Sequence, residues 1–307
     1  MEQKAEWRRD MLNVKYLLKQ EAEMILVSRS GTERLYGENP RIKEHITQDL
    51  TGKNWKTLAK SLQDGRVVYF PATHPYDSLS LEEHNKINVE PVEKILDIIS
   101  VYHLPFVYLS TDMVFGGENR MRNEKDFPKK PFLENPFGYY SASKRKGEEL
   151  TLSHHDGFVV RLGNVLGIKE DFLTSVAKNL GENKDYFAWS NVSNKFSIID
   201  DVSSVLNLLR GYDGYQRVFH VASEGQPISR YHLAREFIKL CEEKEILPKN
   251  TYTKIRPSKA PLEDGRPSTL ALDTRITSKA LDFHFKDIFS SLKRRMTNSN
   301  YPFLENQ

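Results

Sequence analysis

Glycine is scarce where it would matter first: the chain has 16 glycines in 307 residues, and the earliest is Gly31. The stretch before it cannot supply a glycine-rich loop, in which backbone amides cradle a phosphate at a helix N-terminus. A single cysteine, Cys241, excludes an intramolecular disulfide, and no Cys/His cluster has zinc-ligand spacing, so no metal site is expected. Long apolar runs are missing as well, with nothing approaching the roughly 20 residues needed to cross a bilayer. The opening Met-Glu-Gln-Lys-Ala-Glu-Trp-Arg-Arg-Asp lacks the apolar centre of an export signal. Charge of one sign is also absent, since 45 Lys and Arg against 42 Asp and Glu leave +3. That balance gives no electrostatic footprint for nucleic acid. The absences together predict a cytoplasmic protein with neither membrane nor nucleic-acid partners.

What is present reads as a globular α/β chain. Hydrophobic residues make up 38% and charged residues 28%, and the length suffices for one large domain or two interleaved ones. Glu2 to Glu23 has the three-and-four spacing of an amphipathic helix, with Trp7, Met11, Val14, Leu17 and Leu18 on one face. Short apolar runs at Met24–Ser28, His45–Leu50, Arg66–Phe70, Phe106–Ser110 and Phe158–Leu162 predict strands. Helical patterns over Trp55–Leu62, Ile87–Ser100 and Tyr140–Thr151 fall between them. Strand and helix alternating at this spacing imply crossover units and a mostly parallel sheet. Beyond Gly167 the reading is helix Phe172–Leu180, helix Val202–Arg210, strand Arg217–Ala222 and helix Ser229–Lys244. A tail follows, with Pro248, Pro257, Pro261 and Pro267, which predicts loops. The polar stretch Gly116 to Pro136 reads as a solvated surface loop in preference to a binding lid, His154 and His155 as a surface turn, and Cys241 as core packing.

The most specific chemical feature is Tyr140-Ser-Ala-Ser-Lys144. On a helix the four-residue spacing puts phenol and ammonium on one face. A neighbouring cation favours the phenolate and brings a hydroxyl of ordinary pKa about 10 toward acid–base work near neutrality. Tyr139 has no lysine at that spacing. Ser110-Thr-Asp-Met-Val-Phe-Gly-Gly117 places hydroxyls at the carboxyl end of a strand, where open parallel sheets bind ligands.

At these residues the sequence resembles the extended short-chain dehydrogenase/reductase family, in particular its dTDP-4-dehydrorhamnose reductase branch. Ser110-Thr-Asp-Met-Val-Phe115 resembles the family's S-T-D-Y-V-F, with Met113 in place of tyrosine. Asn135 to Glu148 is similar to P-x-N-x-Y-G-x-S-K-x-x-G-E, with Gly147 and Glu148 in register. Arg161-Leu-Gly-Asn-Val-Leu-Gly167 resembles R-x-x-N-V-Y-G, and Arg266 to Asp273 resembles the terminal R-P-x-x-S-x-L-D. The resemblance implies a Rossmann-type doubly wound parallel sheet with a smaller C-terminal substrate-binding region. Residues 1–167 would bind the nucleotide and residues 168–307 mainly the substrate, with 196–225 returning to the first domain. Tyr140 would be the acid/base, Lys144 would lower its pKa and hold the nicotinamide ribose, and Thr111 would bond the substrate oxygen. Hydride would come from the cofactor.

The resemblance further implies NADP, or NAD, as cofactor. Ser28 and Arg29 would suit a 2′-phosphate, Asp49 and Leu50 would lie beside the adenine, and Ala72 would line the next turn. Asn88 matches a helix asparagine read as structural. A nucleotide-sugar-like substrate would lie between the two parts, with Asn164 and Arg266 as contacts and His74, Tyr76 and Arg256 as weaker candidates. Tyr186-Phe-Ala-Trp189 could stack on a base or sugar, or could be core. A homodimer is implied by analogy with the family.

One part of the family pattern is missing. The family opens with a strand, G-x-x-G-x-x-G and then the first helix, whereas here the opening helix aligns with that first helix and nothing matches the strand or its glycines. Three readings stay open: a true start upstream of Met1, a fold that closes the gap, or a regulatory or scaffolding subunit without cofactor turnover. The non-catalytic methionine adenosyltransferase beta subunit shows the third to be possible in this family.

Overall fold

The computed structural model describes residues 24–28, 42–47, 55, 59–60, 68–70, 79–116, 119–127, 136–168, 171–262 and 267–297. The fold is a Rossmann-like α/β arrangement of parallel strands and helices. The chain divides into two compact units that interleave along the sequence. One comprises Met1–Val114, Phe132–Val160 and Val202–Val218; the other comprises Phe115–Pro131, Arg161–Asp201 and Phe219–Gln307.

In the first unit, Phe106–Thr111 is the strand that matters most. Five of its six residues are buried, as expected for a strand covered on both faces. Val68–Phe70 runs parallel to it, with Val68 opposite Phe106. The sheet order is Val218–Val221, Gly157–Leu162, Phe106–Thr111, Val68–Phe70. Met24–Ser28 and Ile42–Thr47 pair in parallel as a separate two-stranded sheet. Among the described residues no strand joins that pair to the Val68–Phe70 edge. The strand observed at Ile42–Thr47 starts three residues before the predicted one, because Ile42 and Glu44 already pair with Met24 and Ile25.

The helix expected over Ile87–Ser100 is two helices, Leu81–Asn88 and Glu90–Ile99, meeting at Val89. Pro91 is the cause: it has no N–H to donate, its ring crowds the carbonyl four residues back, and it disfavours helical geometry at the residue before it. The first helix is set by a full capping box between Ser80 and Glu83. The second buries Val92, Ile95, Leu96 and Ile99 against Leu104, Phe106 and Tyr108. Each such fully buried side chain stabilises by about 1.5–3 kcal/mol. The predicted helix at Tyr140 is longer than expected, running Pro136–Ser153.

The second unit builds its core around Leu166, Leu173, Val176, Phe196, Phe237, Ile238 and Leu292. Asn164–Leu166 pairs in parallel with Phe196–Ile198, and Tyr186–Trp189 with Ile255–Ser258. The helix Phe172–Gly181 is capped by Asp171, whose carboxylate accepts from the backbone amides of Thr174 and Gly167. Two expectations fail here. Among the described residues the tail is not loop alone: it forms strands Ile255–Ser258 and Thr269–Leu272 and helices Arg275–Leu281 and Ile288–Thr297. Pro257 sits in a two-stranded sheet and Pro267 precedes its strand, both positions where a missing N–H is tolerated. Ile288, Leu292 and Met296, one turn apart, then bury a helical face.

The Gly116–Pro136 stretch is not simply solvated either. Met121–Arg122 pairs with Ala271–Leu272, and Arg122 and Glu124 are buried. The Glu124 carboxylate accepts from the Thr277 amide at 2.9 Å and its hydroxyl at 2.6 Å, which allows so polar a segment to be covered. Its partners lie more than a hundred residues away, so no local pattern announces them.

Candidate active site

Tyr140 and Lys144 lie one turn apart on the helix Pro136–Ser153, as their spacing predicts. The two serines between them are buried without penalty because their hydroxyls return to the helix itself. Ser141 donates to the Phe137 carbonyl at 2.9 Å and Ser143 to the Tyr140 carbonyl at 2.8 Å. Tyr140 is 8% exposed and packs with Met113 and Phe137, so Met113 fills apolar space beside the phenol. His84 meets the Tyr140 ring edge-on, with centroids 5.8 Å apart.

Lys144 is 1% exposed. Its Nζ donates to the Leu109 carbonyl at 2.6 Å and lies 4.1 Å from the centroid of the Tyr108 ring. Burial pulls its pKa from 10.5 down to about 7, with the Glu148 carboxylate opposing. Thr111 closes the same strand, half-buried. Its Oγ1 donates to Asp112 Oδ1 at 3.1 Å and accepts from the Met113 amide at 3.3 Å. The strand Phe106–Thr111 therefore carries Thr111 and, through Leu109 and Tyr108, anchors Lys144. Asn88 is buried, and its amide donates to Ser143 Oγ at 3.0 Å, tying a second helix to the pair.

In the second unit, Asn164 is half-buried and accepts from Arg230 Nη2 at 3.4 Å. The Arg230 guanidinium lies 5.1 Å from the Trp189 ring centroid and 5.6 Å from that of Phe172. Tyr186–Trp189 is a strand with Ala188 buried and Phe187 exposed, not a continuous core segment. Arg256 is exposed and pairs with Asp185 at 3.2 Å. Arg161 is fully buried, stacked 4.8 Å from the Phe115 ring centroid, which makes it a structural residue.

Ser28 ends its strand, and its side chain lies outside the described residues, as do Arg29, Asp49, Leu50, Ala72, His74, Tyr76 and Arg266. Tyr108, Ser143, His84 and Arg230 were not singled out by sequence reasoning. Only Ser143 carried a signal, through its place between Tyr140 and Lys144; the others matter through contacts with residues far away in the chain.

The sequence model of the RmlD substrate binding domain matches residues 46–300. No curated protein matches the sequence significantly. Among solved structures, the fold is similar to a dTDP-4-dehydrorhamnose reductase from Bacillus anthracis str. Ames in complex with NADP. That match has TM-score 0.70 and 18% identity, covering 90% of this chain and 99% of that one. A hypothetical dTDP-4-dehydrorhamnose reductase from Sulfolobus tokodaii superposes with TM-score 0.67 and 25% identity over 91% of this chain and 94% of that one. A UDP-glucuronic acid 4-epimerase from Bacillus cereus, in complex with UDP-glucuronic acid and NAD, gives TM-score 0.73 and 17% identity over 98% and 96%. With most of its length matched by the family's own pattern, the chain belongs to the RmlD substrate binding domain family, a dTDP-4-dehydrorhamnose reductase-like branch of the extended short-chain dehydrogenases/reductases.

Proposed function

We propose that the chain is an NAD(P)-dependent oxidoreductase that reduces a keto group of a nucleotide-sugar-like substrate, with Tyr140 and Lys144 as its acid–base pair. The observation that carries this reading is the placement of Lys144. A buried ammonium sits one helical turn from Tyr140 and is hydrogen-bonded to the strand that ends in Thr111. That is an expensive location for a charge unless the charge has work to do.

The residues there suit a nicotinamide cofactor. Ser110 Oγ, at the carboxyl end of the same strand, is buried and has no hydrogen-bond partner among the described residues, so a ligand hydroxyl would satisfy it. Lys144 and Tyr140 would hold the ribose beside it. Ser28 and Arg29 would take a 2′-phosphate, and Asp49, Leu50 and Ala72 would line the adenine side. The cofactor supplies the hydride. The chain handles the proton: Tyr140 Oη gives it to the substrate oxygen as charge develops there, Thr111 Oγ1 orients that oxygen, and the Lys144 ammonium stabilises the phenolate left behind. In the second unit, Asn164 and Arg266 would contact the substrate.

Titration of the full chain with NADPH, followed by fluorescence, tests the reading directly. Saturable binding is expected, together with NADPH consumption when a dTDP-4-dehydro sugar is added. Tyr140→Phe should slow turnover by about 100-fold or more while binding persists. Absence of binding at millimolar NADPH would overturn the enzyme reading and favour a regulatory subunit.

A further inference from the structure

We propose that Tyr108 is a positioning residue for the Tyr140/Lys144 pair, its ring forming the seat that holds the Lys144 ammonium against the Leu109 carbonyl. The proposal rests on the reading of Lys144 as a member of the reacting pair, and its geometry is independent of any ligand. Tyr108 and Leu109 are consecutive in one strand, and both touch Nζ: the carbonyl at 2.6 Å, the ring centroid at 4.1 Å. The face of an aromatic ring carries negative quadrupole potential, so the two contacts pull the same cation from two directions. The ammonium is thereby fixed relative to the carboxyl end of the strand, where Thr111 stands.

The seat is itself held in place. Tyr108 is fully buried, and its hydroxyl donates to the Asn88 carbonyl at 3.4 Å. Gly147 lies directly over it: a Cβ there would collide with the Tyr108 ring and hydroxyl. Asn88 in turn donates through its side chain to Ser143, which bonds the Tyr140 carbonyl. The strand and two helices therefore close around one ammonium. Glu148, one turn along the helix, favours the charged form of Lys144. Among the described residues, the other titratable groups facing the pair are Tyr108 from the strand and His84 from the helix Leu81–Asn88, edge-on to Tyr140.

A merely space-filling role and a seating role predict different titrations. Any apolar side chain of similar bulk would fill the volume, but only an aromatic ring offsets the desolvation of the ammonium. The full chain, with lysine labelled at 13Cε, can be titrated by NMR, the Lys144 resonance being identified by its loss in Lys144→Met. Tyr108→Phe keeps the ring and should leave the midpoint within a few tenths of a pH unit. Tyr108→Leu should lower it by about one unit, a roughly tenfold loss of proton affinity. In a second series, fluorinated phenylalanines at position 108 keep size and shape while weakening the quadrupole, and the midpoint should fall stepwise with fluorine number. An unchanged midpoint across that series, or equal shifts in Phe and Leu, would overturn the proposal. No cofactor enters the readout, so a chain that fails to bind NADPH yet shows the stepwise shift would sink the enzyme reading and leave the seat standing.

Discussion

Replacing Lys144 with methionine should stabilise the fold at neutral and acid pH even though it removes half of the proposed acid–base pair. The side chain is 1% exposed, and its pKa falls from 10.5 to about 7 because burial disfavours the ammonium. At about 1.4 kcal/mol for each tenfold change in proton affinity, the ceiling on that penalty below pH 7 is about 5 kcal/mol. Local relaxation and water entry reduce it to about 2 kcal/mol. Methionine has nearly the same shape, and its sulfur packs well on an aromatic ring such as Tyr108. It cannot donate to the Leu109 carbonyl, a loss of about 1 kcal/mol. The net expectation is a gain of about 1 kcal/mol at pH 6. Between about 7 and 10.5 the unfolded lysine holds its proton while the folded one has released it, so wild-type stability rises with pH through that window. At about 1.4 kcal/mol per pH unit, the methionine advantage of about 1 kcal/mol should vanish within about one unit above pH 7 and reverse beyond that. Urea unfolding of both proteins at several pH values, followed by tryptophan fluorescence, measures the gap. A variant less stable at pH 6, or a gap independent of pH, would refute the account of Lys144 as a desolvated cation.

Asp201 offers a second buried charge, 6% exposed, with Oδ2 lacking a hydrogen-bond partner among the described residues and the carboxyl pushed up to about 6 by burial. A raised carboxyl contributes stability that is full below its ordinary value of about 3.8 and lost as pH rises through about 6. Asp201→Asn should therefore stabilise at pH 7.5 by about 1–2 kcal/mol and flatten the profile between about pH 4 and 6; thermal or urea unfolding across that range would expose an unchanged profile. Gly147→Ala should destabilise by about 2 kcal/mol, because its Cβ strikes the Tyr108 ring. That cost should drop in a Tyr108→Leu background, and simple additivity of the two changes in a double-mutant cycle would show the contact to be irrelevant.

The sequence by itself determined the features governed by local geometry. Alternating strand and helix patterns located the parallel α/β core. The four-residue spacing placed Tyr140 and Lys144 on one helical face, and Thr111 fell at a strand's carboxyl end, because these positions depend on backbone periods of 3.6 and 2 residues. Local signals failed where a distant partner decides. The break at Val89 could be read from Pro91, but the burial of Arg122 and Glu124 depended on Thr277 and on pairing with Ala271–Leu272. The ordered tail depended on apolar faces finding a core built elsewhere in the chain. That no glycine precedes Gly31 was legible in the sequence, whereas the pairing of Met24–Ser28 with Ile42–Thr47 in a sheet apart, among the described residues, from the four-stranded one appeared only in the strand order. For the site itself, the sequence determined which residues could face one another. Tertiary structure alone decided that Lys144 is dry, seated on Tyr108 and bonded to Leu109, because desolvation depends on everything packed around a charge.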